Sequence, residues 1–295
     1  MILTLINIVA PVLVIVLLGY YFARRQASAP KMEFINYINV HVFCPALIFS
    51  ALLMHPVKPA NAWALIVAGT LVIVLPGLML LFMRPKGIDG RAFLVSGMFR
   101  NTGNVGIPLM LLAYGREQLG DIILLFVLSN SLHFSLGLFV LSGKGNRWLW
   151  LRNPNVWMAV LGISLAPYQE HIPAFATTSI EMLGQITIPL MLFSLGVRLA
   201  HDKIEQVGMA LRVNLLYLLV GALSLPIILW LLPLSADAQR LIVLSAMLPP
   251  AVLNFLLSEH YKVSPQTVAS IVLLGNVLSV ATVPIVIWFT LSYIG

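Results

Sequence analysis

Long apolar runs separated by short polar gaps make up almost the whole chain. A helix needs about 20 mostly apolar residues to cross a hydrocarbon core about 30 Å thick. Ten runs read as such segments: Leu3–Phe22, Phe34–Met54, Ala62–Met83, Ala92–Tyr114, Ile122–Leu141, Asn155–Tyr168, Phe175–Leu199, Val207–Leu232, Ala238–Ser258 and Val268–Ile294. The sixth is short, and Trp148 and Trp150 ahead of it have the character of interfacial anchors. The first run has no basic start and no small-residue cleavage pattern, so it is expected to remain as a membrane helix. The predicted fold class is therefore an all-α membrane protein of about ten transmembrane helices.

Composition agrees with that pattern. Apolar residues make up 60% of the 295 positions and charged residues 9%, against about 25% charged in soluble domains. Cys44 is the only cysteine, so no intrachain disulfide can form. The net charge of +7 does not signal nucleic acid, because the basic residues sit in the gaps and form no stripe interleaved with aromatics. Their distribution is one-sided. Arg24, Arg25, Lys31, Arg84, Lys86, Arg91, Lys144, Arg147, Arg152, Arg198, Lys203, Arg212 and Lys262 fall in the gaps of one side, and Lys58, Arg116 and Arg240 in those of the other. The positive-inside rule then puts the first group in the cytoplasm and both termini outside a cytoplasmic (inner) membrane. Arg100 is left within the membrane.

Five pairs of short matches recur at nearly constant offset. Pro11-Val12-Leu13 through Gly19 pairs with Pro154-Asn155-Val156 through Gly162, and Pro45 through Ser50 with Pro189 through Ser194. Leu75-Pro76 pairs with Leu225-Pro226, Asn104 with Asn254, and Asn130 with Asn276. The halves 1–142 and 143–295 thus carry five segments each. An odd number makes the second half enter from the opposite side, so the repeats are expected to be inverted. Inverted repeats let a carrier expose one central site to either side by rocking one bundle against another.

The fourth segment is interrupted by Phe99-Arg100-Asn101-Thr102-Gly103-Asn104-Val105-Gly106-Ile107-Pro108, with Gly103, Gly106 and Pro108 as expected helix-breaking residues. At 1.5 Å per residue Arg100 lies roughly 13 Å beyond Arg91, near mid-membrane. The ninth segment carries Pro249-Pro250 at similar depth, followed by Asn254. Unwound backbone in lipid costs several kcal/mol per unpaired group, so both breaks must face protein or a wet cavity. Half-helices starting there point N-terminal ends, each worth about half a positive charge, at whatever lies between. The pattern outlines an anion site. Arg100, Asn101, Thr102, Asn104, Asn130, Asn254 and Asn276 are the substrate-binding candidates, with His41, His133, Gln185 and Thr187 as secondary ones. Arg100 has two open readings: a bidentate partner for a substrate carboxylate, or a brace for unwound carbonyls. The ten acidic residues fall in gaps or near segment ends, and no metal or cofactor site is expected. Each 100 mV, inside negative, contributes about 2.3 kcal/mol per exported negative charge, so potential alone can drive an anion out.

The residues Phe99 through Asn104 with Gly106 and Pro108, Ile188-Pro189-Leu190-Met191-Leu192-Phe193-Ser194-Leu195-Gly196, Met247 through Asn254, and Gly275-Asn276 resemble the auxin efflux carrier family. These are the bacterial relatives of the plant PIN-formed auxin exporters. The resemblance spans essentially the whole chain. It implies ten helices of an inverted-repeat carrier fold related to bile acid/sodium symporters, with broken helices crossing at segments four and nine. It also implies a scaffold of segments 1, 2, 6 and 7, a transport domain of segments 3–5 and 8–10, and a homodimer. Family substrates are auxin in plants and dicarboxylates such as malate or malonate in bacteria. Two departures matter. Ser142–Pro154 is short where the plant exporters have a long hydrophilic loop. Met247-Leu248-Pro249-Pro250 lacks the acidic residue with which the symporters hold sodium.

The expected function is a secondary carrier that exports a small organic anion, with a sodium- or proton-coupled importer of the same fold as the alternative. No HExxH, GxSxG, intramembrane aspartate pair or aspartate-rich diphosphate motif occurs, so a membrane-embedded enzyme is a remote reading.

Overall fold

The computed structural model describes residues 2–25, 32–57, 59–83, 85–142, 149–201 and 204–294. Lys31, Lys58, Arg84, Lys144, Arg147, Trp148 and Lys203, on which part of the charge and anchor reading rests, lie outside the described residues. Among the described residues every regular element is helical, and the β-type pairing is a single bridge between Arg100 and Pro250.

The helices are α1 (Ile2–Arg25), α2 (Glu33–Met54), α3 (Pro59–Leu81), α4 (Gly90–Met98), α5 (Thr102–Tyr114), α6 (Arg116–Ser142), α7 (Pro154–Leu165), α8 (Ala174–His201), α9 (Val207–Leu231), α10 (Ala236–Met247), α11 (Val252–His260) and α12 (Pro265–Tyr293). Seven of them, α1, α2, α3, α6, α8, α9 and α12, are long and apolar enough to cross a membrane. The sixth segment is short here too: α7 has 12 residues and runs into a 3-10 stretch at Ala166–His171. The fourth segment divides into α4 and α5, and the ninth into α10 and α11.

Proline alone does not divide these helices. Pro11, Pro76, Pro226 and Pro284 lie inside α1, α3, α9 and α12 without ending them, as proline within membrane helices commonly does. The outward faces are apolar, with Phe82 90% and Trp230 87% exposed alongside Leu3, Leu17 and Phe175. So much contiguous apolar surface suits lipid rather than water.

Two groups of helices pack internally. In one, α1 lies along α8, while α2 lies against α7 and α8. In the other, α9 packs on α3 and α12, α3 on α4 and α6, and α12 on α10 and α11. Small residues allow the closest approaches, as is usual between membrane helices. A Cβ added at Gly19 of α1 would fall on the carbonyl oxygen of Phe193 in α8, and one at Gly162 of α7 would lie 2.9 Å from the carbonyl oxygen of Phe49 in α2. Gly19 and Gly162, like Phe49 and Phe193, are partners in the sequence repeat. The two contacts are therefore reciprocal.

Candidate functional site

The polar centre is built where the two divided segments meet. After Met98 the chain is extended at Phe99 (φ −100°, ψ 112°) and resumes as helix when Asn101 caps α5. After Met247 it is extended at Leu248 (ψ 154°) and again at Ala251 (ψ 141°), just before α11. The two stretches run antiparallel. The Asn101 N–H donates to the Pro249 carbonyl at 2.7 Å, and the Ala251 N–H to the Phe99 carbonyl at 3.0 Å. Pro249 and Pro250 have no N–H to leave unpaired. Each break thus satisfies the other's backbone, which offsets the cost of unwinding away from water.

Amide side chains complete this pairing. Asn254 Nδ2 donates to the Phe99 carbonyl at 3.0 Å, and Asn276 Nδ2 to the carbonyls of Pro250 at 3.2 Å and Val272 at 2.8 Å. Asn101 Nδ2 donates to Asn276 Oδ1 at 2.8 Å, while its own Oδ1 accepts the Asn104 N–H at 3.2 Å. The interruption falls a few residues before most of the expected breakers. Gly103 and Gly106 sit in a π-helical turn, Thr102–Gly106, and Pro108 in the first turn of the regular helix that follows.

Arg100 is 4% exposed and lies in the break itself. Its Nη2 donates to the Tyr217 carbonyl at 2.7 Å and its Nη1 to the Leu248 carbonyl at 3.5 Å, with the guanidinium 5.8 Å from the Tyr217 ring centroid. Gly221 lies close by: an added Cβ there would lie 2.6 Å from the Ala246 carbonyl oxygen and 3.4 Å from Nη2. Among the described residues no carboxylate pairs with this cation, and its Nε–H has no partner. Of the two sequence readings, these bonds are those of a brace. The charge nonetheless has no carboxylate partner among the described residues, and Arg100 itself lines the cavity that opens there.

A cavity of about 450 Å³ opens against the paired breaks. The first turns of α5 (Thr102, Gly103, Asn104) and α11 (Val252, Leu253) both line it, with Asn101 beside them. Asn130, Ser129 and His133 of α6 form one wall; Asn36, Asn39 and His41 of α2, Asn155 of α7 and Ser194 of α8 form the other, with Arg152 and Arg198 also in the lining. Thr102, Asn104 and Asn130 make no side-chain hydrogen bond among the described residues. Asn39 Oδ1, Asn155 Oδ1 and His133 Nε2 are buried without partners among them. His133 stacks flat on Phe99, with centroids 4.1 Å apart and 4° between the planes. No carboxylate lines the cavity among the described residues.

The other candidates lie elsewhere. Asn254 and Asn276 sit behind the breaks and bond backbone. Gln185 borders an external groove with Ile15 and Phe193 and donates to Glu181 at 3.3 Å, and Thr187 is fully buried. His41 is the exception: it lines the cavity at its exposed edge, donating through Nδ1 to the Tyr37 carbonyl at 2.9 Å. Sequence reasoning passed over Asn36, Asn39, Asn155, Arg152 and Tyr217. Asn36 and Asn39 carried a signal, since three-residue spacing puts two amides on one face of an apolar helix.

A family model described as membrane transport protein matches residues 4–150 and 147–287. The chain belongs to the membrane transport protein family. It is 25% identical over 302 residues to the "Putative malonate transporter" of Rhizobium meliloti (strain 1021), covering 94% of this chain and 93% of that one. It is similar to the "Uncharacterized transporter YfdV" of Escherichia coli (strain K12), at 22% identity over 299 residues, 94% of this chain and 95% of the other. Over 158 residues, 50% of this chain and 43% of its relative, it is 28% identical to the "Probable auxin efflux carrier component 5b" of Oryza sativa subsp. japonica. The likeness to auxin efflux carriers read from the motifs therefore holds, and the protein is a multi-pass membrane transporter.

Proposed function

We propose that this transporter is a secondary carrier exporting a small organic anion, a dicarboxylate or an auxin-like carboxylate, across the cytoplasmic membrane by alternating access. The observation that carries the reading is the convergence of two half-helix N-termini on one polar cavity free of carboxylates among its described lining. Orphan N–H groups and the positive end of each dipole favour a bound anion. Thr102, Asn104 and Asn130 are its direct partners, while Asn101, Asn254 and Asn276 keep the two breaks together.

Arg152 and Arg198 in the lining belong to the side that the charge distribution assigns to the cytoplasm, so this conformation opens inward. The group α1, α2, α7 and α8 is the scaffold and the remaining helices are the transport domain, a division supported by their internal packing. An inverted relation of the halves is supported by the reciprocal Gly19–Phe193 and Gly162–Phe49 contacts. It is supported too by the Arg100–Pro250 bridge, whose partners lie at the same offset as Asn104 and Asn254. The carrier works as a homodimer, which light scattering of the detergent-solubilised protein checks.

The test is efflux of labelled malonate or indole acetate from proteoliposomes with an imposed inside-negative potential and no ion gradient. Flux under those conditions is expected. Flux that requires sodium or a pH step replaces this reading with the symporter one.

A further inference from the structure

Arg100 supplies more than a brace, because of which helices hold it. Tyr217, which offers both its carbonyl and its ring, lies in α9; Leu248 directly follows α10; and Pro250, bridged to Arg100 backbone to backbone, precedes α11. All of these belong to the packed group that includes α3, α4 and α12. A charge seated entirely within one group moves when that group moves. The seat solvates the cation with carbonyl dipoles and a ring face, and no carboxylate neutralises it among the described residues. Tyr217 is fixed in turn, fully buried, with its hydroxyl donating to the Phe93 carbonyl at 2.6 Å.

We infer that Arg100 is the carrier's fixed counter-charge: the buried interior of the moving group bears about one positive charge when empty and none when loaded with a monoanion. This rests on the proposed carrier reading. Charge bookkeeping for one export cycle then assigns the voltage-dependent step. The loaded limb, inside to outside, carries no net charge with a monoanion. The empty return, outside to inside, carries Arg100 inward, and an inside-negative potential favours it. The cycle exports one negative charge, as thermodynamics requires, although the anion's own crossing is electrically silent. With a dianion the loaded limb carries one negative charge and becomes voltage-dependent too.

The experiment compares net efflux with one-for-one exchange in proteoliposomes clamped at several potentials, using indole acetate as monoanion and malonate as dianion. Exchange uses only loaded limbs; net efflux includes the empty return. The expected result is indole acetate exchange unchanged between 0 and −100 mV, with net efflux accelerated. A charge crossing the whole field is biased about fifty-fold by 100 mV, and proportionally less for part of it. Malonate exchange should respond to potential. Arg100→Gln should reverse the monoanion pattern, making exchange voltage-dependent and the empty return indifferent. Wild-type measurements suffice if that variant does not fold. Monoanion exchange as voltage-dependent as net efflux overturns the counter-charge while leaving the carrier intact. Absence of flux for both probes overturns the carrier reading and this inference with it.

Discussion

Replacing Asn101 and Asn276 by alanine, singly and together, tests whether the two breaks are tied to each other. The bond between them is 2.8 Å long, and both residues are buried. Asn276→Ala also removes donors to Pro250 and Val272, and Asn101→Ala uncaps the Asn104 N–H. Those losses appear in the double variant as well and cancel in the cycle, leaving the coupling between the two amides. In soluble proteins a buried group stripped of its partner costs about 1–3 kcal/mol. Interhelical bonds in membranes are worth less, about 0.6 kcal/mol on average and about 1.7 at most, because the unfolded chain in lipid also finds partners. The membrane figure governs here, but the bond is short and part of a network, so a coupling of about 1–1.5 kcal/mol is expected. Each single variant should lose about 1–3 kcal/mol. Reversible denaturation in mixed micelles measures all three. Additivity within about 0.3 kcal/mol refutes the reasoning, because independent sites add to that precision.

Other perturbations separate close packing, seat, site and surface. Gly196→Ala should lower the melting temperature sharply or prevent folding, since its Cβ would fall on the Val16 carbonyl oxygen, whereas Gly208→Ala, with nothing within 4 Å, should leave it unchanged. Tyr217→Phe should cost about 1 kcal/mol for the lost hydroxyl bond and leave the transport KM unaltered, because the carbonyl and ring that hold Arg100 remain. Thr102→Val with Asn104→Leu should weaken malonate affinity at least about tenfold without lowering the melting temperature, each lost polar contact being worth roughly 1 kcal/mol. Arg91 beside Asp89, 3.2 Å away, holds that carboxyl below the usual carboxylate range. Its stabilising contribution is complete above the ordinary carboxylate pKa and is lost as pH falls through the lowered value. Asp89→Asn should therefore flatten the acid limb of melting temperature against pH.

The segments were legible because hydrocarbon thickness imposes a length, and a run of apolar residues reports that length directly. The place of the breaks along the chain was legible for a similar reason: an arginine and a pair of prolines are expensive within an apolar helix unless something local compensates. Their register was less so. Gly103, Gly106 and Pro108 mark residues that tolerate irregular backbone, but the chain actually opens at Phe99 to Asn101, where an extended strand finds a partner 150 residues away. Such pairing leaves no local pattern. The same holds for the amides. Composition could nominate Asn104, Asn130, Asn254 and Asn276 together, yet two line the cavity and two bond backbone behind it, a difference set by which helix each faces. Asn39 and Asn155 escaped because the wall they form comes from α2 and α7, far apart in sequence and joined only by packing.

Binding of malonate to the purified protein, read by thermal shift beside its dimethyl ester, tests the central claim most directly. An anion at about one hundred times its Kd stabilises the folded state by about 2.7 kcal/mol. The account predicts a raised melting temperature with malonate, none with the uncharged ester, and no shift when Thr102, Asn104 and Asn130 are replaced together by apolar residues. Equal stabilisation of that triple variant, or equal stabilisation by the ester, would contradict an anion site at the paired breaks.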